Sequence, residues 1–142
     1  VSEATPVVRI VVGVDGSSAS VKALQEGAKF AAELGGVVDA VAVWEVPSRH
    51  ATYEALGIGS FEDGACQVLN DALFQAFGAD VPTTVSARLV QGHPAKTLAA
   101  CSEGARMLVV GRRGQGGLLG LLLGSVSNAV VSHAPCPVLV VQ

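Results

Sequence analysis

The chain has 142 residues, of which 50% are hydrophobic, 15% charged and 4% aromatic, with a formal net charge of −3. That length suits a single domain, residues 1–142, whose core must be filled by Val, Ala and Leu rather than by rings. The acidic balance excludes a nucleic-acid coat or a basic membrane-surface binder, so any anion site has to be local.

Val1 to Pro6 is polar and the apolar run after it ends at Asp15, so no secretory leader is expected. Val7 to Val14 is apolar and β-branched apart from Arg9, and predicts a central parallel strand buried on both faces. Asp15-Gly16-Ser17-Ser18 turns the chain, with either serine able to cap a helix bearing Val21, Leu24, Ala28, Ala31 and Leu34 on one side and stopping at Gly35-Gly36. Val37 to Trp44 reads as a second strand, and the interruption at Asp39 places its start near a sheet edge. Pro47 to Ser60 has no clear period and reads as a mobile connection containing His50 and Tyr53. A helix is expected over Phe61 to Phe77, with Ala65, Val68, Leu69, Ala72, Leu73 and Ala76 in register. Thr83 to Val90 alternates as a half-buried strand; Gln91-Gly92-His93-Pro94 then leads into a helix reaching Gly104, with Pro94 in its first turn. Arg106 to Val110 is the fourth strand. After a glycine loop, a helix opens at Ser125, Pro135-Cys136-Pro137 breaks it, and Val138 to Val141 forms a fifth strand.

Strands alternating with helices, joined by crossovers long enough for parallel pairing, predict an α/β fold: one doubly wound five-stranded parallel sheet, order 3-2-1-4-5, with helices on both faces. Such a sheet takes its ligand at the carboxyl ends of the strands, at the switch point, here between the loops that follow the first and fourth strands.

The loop after the fourth strand carries the chemistry. Gly111, Gly114, Gly116, Gly117, Gly120 and Gly124 allow close backbone approach, and Ser125 opens a helix whose first N–H groups attract anions. Ser127 adds a second hydroxyl, and Arg112 and Arg113 add positive charge. The spacing G-x2-G-x9-G-S, at Gly111, Gly114, Gly124 and Ser125, closely resembles the signature of the ATP-binding universal stress proteins. The resemblance extends to V-V-G-V-D-G-S (Val11 to Ser17), Q-G-H-P-A (Gln91 to Ala95) and G-S-V-S with H-A-P-C-P-V-L-V-V (Gly124 to Val141), covering Arg9 to Val141 in order. Ala105-Arg106-Met107 departs from it, standing where the family usually has a run like A-D-L; that position is at the far end of the strand from the loop.

The resemblance implies an ATP site. Asp15 would accept hydrogen bonds from the adenosine, most simply at the ribose; Gly13, Val14 and Val43 would border the adenine; Val110 and Gly111 would lie beneath the ribose and first phosphate; Gly114, Gly124, Ser125, Val126 and Ser127 would wrap the phosphates. For Asp15 the alternative is an Asx-turn without a ligand. The family likeness also implies a cytoplasmic homodimer joined through Val138 to Val141, acting as a nucleotide-dependent sensor or regulatory module in the stress response. The ligand the resemblance implies is ATP, with or without Mg²⁺, or cyclic AMP, which would use the same cradle. An enzyme that slowly hydrolyses ATP or phosphorylates itself on Ser125 or Ser127 is the other reading, as is a module that acts through protein contacts alone.

Other signals fall away. No G-K-[ST] is present, Leu119 stands where G-x-G-x-x-G needs glycine, and no G-x-S-x-G elbow or Cys-His pairing is identifiable. No catalytic residue and no metal ligand set is assigned: phosphoryl transfer needs metal ligands and an oriented nucleophile, and Asp15 alone offers a carboxylate. His133 and Cys136 read as structural, and His93 is open between the phosphates and solvent. Cys66, Cys101 and Cys136, odd in number and without C-x-x-C, point to reduced cytosolic thiols, Cys101 packing inside its helix. Leu118 to Leu123 is too short to span a bilayer.

Overall fold

In a computed structural model of the chain, the described residues are 7–45, 58–112 and 125–142. The elements run β1 (Arg9–Gly13), α1 (Ser18–Leu34), β2 (Val37–Trp44), α2 (Ile58–Phe77), β3 (Val85–Gln91), α3 (Pro94–Cys101), β4 (Met107–Gly111), α4 (Ser125–His133) and β5 (Val138–Val141). All strands pair in parallel in the order β3-β2-β1-β4-β5, as the alternation of strands and helices predicts. The connection read over Pro47 to Ser60 lies outside the described residues up to 57.

Period-two alternation divides the strand side chains between two helix layers. Ile10, Val12, Val38, Ala40, Ala42 and Val109 meet α1 and α2 through Leu24, Ala31, Leu69 and Ala72. Val11, Val41, Leu108 and Val110 meet α3 and α4 through Ala95, Leu98 and Val130. Ile10, Val11 and Val12 are fully buried, so β1 is the strand that both layers cover.

Glycine lets the layers approach. A Cβ on Gly27 of α1 would stand 2.7 Å from Val12 Cγ2. At the helix end, Gly35 takes φ 67°, a left-handed conformation that suits glycine, and the Gly36 N–H donates to the Ala31 carbonyl at 2.7 Å.

Three expectations are corrected. Asp39 does not mark a sheet edge: β2 lies between β3 and β1. Its carboxylate is neutralised in place, with Arg9 Nη1 donating to Oδ2 at 3.1 Å and Arg88 donating through Nε and Nη2 at 3.1 and 3.0 Å. The hydrogen bond to Asp39 raises the Arg88 pKa above its ordinary value. Val68, placed on the apolar side of α2, is 37% exposed, and Leu69 and Ala72 carry the contact instead. Nor does β3 alternate: Ser86, Ala87 and Arg88 are all exposed, because β3 is an edge strand.

The close approach of α1 gives a pair of predictions of opposite sign. Gly27→Val should lower stability by about 1–3 kcal/mol through overpacking against Val12. Gly64→Ala, on the exposed side of α2 with open space around it, should raise stability by up to about 1 kcal/mol from helix propensity. Urea unfolding of both variants checks this.

Candidate functional site

The carboxyl ends of β1, β2 and β4 lie side by side. Val12 pairs with Val109, so Gly13 stands beside Val110, and Gly13 pairs with Val41 on its other side. The winding reverses between β1 and β4, where connections to β2 and β3 use one face and those to β4 and β5 the other.

At the end of β1 the chain turns sharply. Gly16 has φ 87°, and Asp15 Oδ1 accepts from the Ser17 N–H at 2.9 Å and from the Ser17 hydroxyl. This is the Asx-turn geometry weighed for Asp15, with the carboxylate exposed at the strand end. Ser17, of the two candidate serines, caps α1: its Oγ accepts from the Ser20 N–H at 3.1 Å. Ser20 is buried and its hydroxyl donates to the Ser17 carbonyl at 2.9 Å.

Gly111 ends β4 against this turn. An added Cβ would lie 2.6 Å from Ala19 Cβ, 2.9 Å from the Ala19 carbonyl carbon and 3.1 Å from Ser20 N. The glycine is thus required by the close approach of the first turn of α1 to the end of β4. The Ser127 hydroxyl, 5% exposed, donates to the Gly111 carbonyl and ties the first turn of α4 to β4. Ser125 is exposed at the start of α4, and Val126 is half-buried. The Arg112 N–H donates to the Val141 carbonyl at 2.6 Å.

The apolar strand ends sit deeper than the sequence suggests. Val14 and Val110 are 5% and 4% exposed, with side chains in the two core layers rather than at an open surface. Gly13 backs onto α3, since a Cβ there would stand 2.9 Å from Leu98 Cδ1. These residues offer backbone, not side chain, to the crevice. Gly114 and Gly124, with Arg113, lie outside the described residues. His93 is the exposed N-cap of α3 and makes no side-chain cap bond.

The feature that sequence reasoning missed is the backbone of Val43. The Val38 N–H donates to the Thr84 carbonyl and the Gly92 N–H to the Trp44 carbonyl, so the even-numbered residues of β2 face β3. The Val37 N–H donates to Val8 and the Val14 N–H to the Val41 carbonyl, so the odd-numbered residues face β1. Val43 therefore points its N–H and C=O toward the side of β1, past the last ladder partner Gly13–Val41. No described backbone group bonds either one. A donor and an acceptor side by side on one residue match the edge of a heteroaromatic base. The signal was the unequal lengths of β1 and β2, which the hydrophobic pattern does not resolve.

Among the described residues no group of three His, Cys, Asp or Glu side chains is placed to hold a metal ion, and no helix is long and apolar enough to cross a membrane. Cys66 is exposed, and Cys101 and Cys136 are half-buried free thiols.

Because Gly111 meets backbone, Gly111→Ala should lower the stability of the ligand-free protein by about 1–3 kcal/mol. Ser127→Ala, which leaves the Gly111 carbonyl without its donor, should cost about 1 kcal/mol or more. Thermal melts without added ligand check both; unchanged melts would show that this junction is loose.

A profile described as the universal stress protein family matches residues 7–142. Universal stress protein Rv2005c of Mycobacterium tuberculosis is 38% identical over 142 residues, which cover 94% of this chain and 47% of that protein. The chain thus spans about half the length of the curated relatives of this group. The solved structure of universal stress protein UspA from Lactobacillus plantarum superposes with a TM-score of 0.78 at 20% identity, covering 98% of this chain and all of that one. A universal stress protein in complex with cAMP superposes at 0.69 with 27% identity, covering 95% of this chain and 97% of that one. With a profile match along nearly the whole chain and a sheet of the same order, the chain belongs to the universal stress protein family.

Proposed function

We propose that residues 1–142 act as one cytoplasmic domain that binds an adenine nucleotide, ATP with or without Mg²⁺, and serves as a nucleotide-dependent sensor or regulatory module. The observation that carries this reading is the open N–H and C=O of Val43 at the ends of β1 and β2. Adenine presents a ring-nitrogen acceptor beside an amino donor, and that edge complements the Val43 pair. Asp15, exposed at the neighbouring strand end, would accept from a ribose hydroxyl. Gly13 and Val14 would border the base, and Val110 and Gly111 would pass beneath the ribose and first phosphate. The phosphates would meet the G-x2-G-x9-G-S segment through Gly114, Gly124, Ser125, Val126 and Ser127. Ser127 would contribute through its N–H, since its hydroxyl proton is engaged by Gly111.

Cyclic AMP is the second ligand to weigh, because a 27% identical relative was solved in complex with it. Binding is favoured over turnover: the Asp15 carboxylate at the end of β1 is engaged in a turn with Ser17.

Calorimetric titration of adenosine, ATP and cyclic AMP into nucleotide-free protein separates the parts. At ~100 Kd, a ligand bound only by the native state should add about 2.7 kcal/mol of stability. Asp15→Ala should weaken adenosine and ATP alike. Gly114→Ala and Gly124→Val should reduce ATP affinity at least about tenfold, or 1.4 kcal/mol, while sparing adenosine. Equal losses for both ligands in the glycine variants would contradict the assignment of that segment to the phosphates.

We also propose that the chain forms a homodimer through β5. The Leu108 N–H donates to Pro137 and the Arg112 N–H to Val141, so Val138 and Val140 turn their N–H and C=O groups outward along the sheet edge. Val140→Pro removes one outward donor and no bond to β4, so the fold should persist while association weakens. Sedimentation of the wild type as a monomer at high micromolar concentration would rule this out.

A further inference from the structure

The face of the sheet that carries α3 is open on its β2–β3 side, where a recess of about 670 Å³ lies between the strands and the helix. Its floor is charged. Arg9, Asp39, Arg88 and Val90 line it from the sheet, and Lys96 and Glu103 from α3 and the turn that follows. None of these residues belongs to the nucleotide reading, which uses the strand ends.

The charges do not cancel. Both Asp39 oxygens are occupied, Oδ2 by Arg9 and Arg88 together and Oδ1 by Arg88. With Lys96 the recess carries three cationic side chains, Arg9, Arg88 and Lys96, against the two carboxylates of Asp39 and Glu103, which leaves one surplus positive charge. Arg9 is committed further, to the Cys101 carbonyl at 3.0 Å and the Glu103 carbonyl at 2.8 Å. Arg88 bonds Asp39 through Nε and Nη2 and also interacts with the Cys101 thiol, while its side chain remains 48% exposed to the recess. Lys96 is exposed and makes no hydrogen bond or ion pair among the described residues. Val90 supplies an apolar wall beside these donors.

A recess of this size, with fixed donors next to an apolar wall and a net positive charge, suits a small ligand. We propose that it is a second binding site, for a small organic anion with a carboxylate or phosphate on a short apolar stem, held by Arg88 and Lys96 with the stem against Val90. Asp39 and Arg9 position the Arg88 fork rather than touch the ligand. The contacts are partly exposed, so binding should be weak and should fall as salt rises.

Succinate and inorganic phosphate, titrated separately into ¹⁵N-labelled protein at constant ionic strength against a sodium chloride control, test the site. At least one should give saturable shifts at Arg88 Nε and at the amides of Val90, Lys96 and Thr97, with or without adenosine present. Lys96→Ala, an exposed change that leaves the fold intact, should weaken binding about threefold or more, and Lys96→Arg should restore it. The proposal is overturned if both anions shift these signals only as chloride does, if saturable shifts appear only around Gly111 to Ser127, or if Lys96→Ala binds as the wild type does. Because adenosine binding is read at Val43 and anion binding at Arg88, failure of either site leaves the other test standing.

Discussion

Burial of β1 on both faces is the constraint on which the structure depends. Ile10, Val11 and Val12 have no exposed surface, and each fully buried aliphatic side chain contributes roughly 1.5–3 kcal/mol relative to exposure. To cover both faces, the chain winds one way through α1 and α2 and the other way through α3 and α4. The reversal falls between β1 and β4, and the turn that begins α1 must then fit against the end of β4. Gly16, at φ 87°, and Gly111, whose hydrogen faces Ala19, are the residues that permit this fit.

The same constraint creates the crevice. β1 ends at Gly13 because the chain must turn at Asp15 to start α1 over the core, while β2 runs on to Trp44 beside β3. The outer residues of β2 lose their partner on one side. Val43 keeps a half-buried side chain against the core and a backbone that no described backbone group bonds at the strand ends. A buried unpaired N–H and C=O are costly, so they are sustained by solvent or by a ligand that replaces it.

Much of this was legible in the sequence. The β-branched runs gave the strands within one or two residues, and the alternation of strands and helices gave their order. What could not be read were the features set by tertiary contact. Asp39 looked like an edge residue because its partners, Arg9 and Arg88, come from two other positions brought near only by the sheet. Val14 was expected to border the adenine and Val110 to lie beneath the ribose and first phosphate, and the burial of both side chains in the two core layers could not be read from the strand pattern. Gly111 was read as a ligand-facing glycine, yet its nearest neighbour is α1. The motif thus combines a structural requirement, visible at Gly111, with the part that carries the phosphate proposal. The family is shown by the match over residues 7–142, and the nucleotide is proposed from Val43 and Asp15.

The account stands most directly on the backbone of Val43. Hydrogen–deuterium exchange of that amide, followed by NMR with and without saturating adenosine, tests it without any mutation. Exchange at Val43 should slow at least about tenfold with adenosine, while Val41, already facing β1 within the ladder, changes little. If adenosine binds and the Val43 amide exchanges as fast as in the free protein, the base is held elsewhere and the assignment of the strand-end crevice is contradicted.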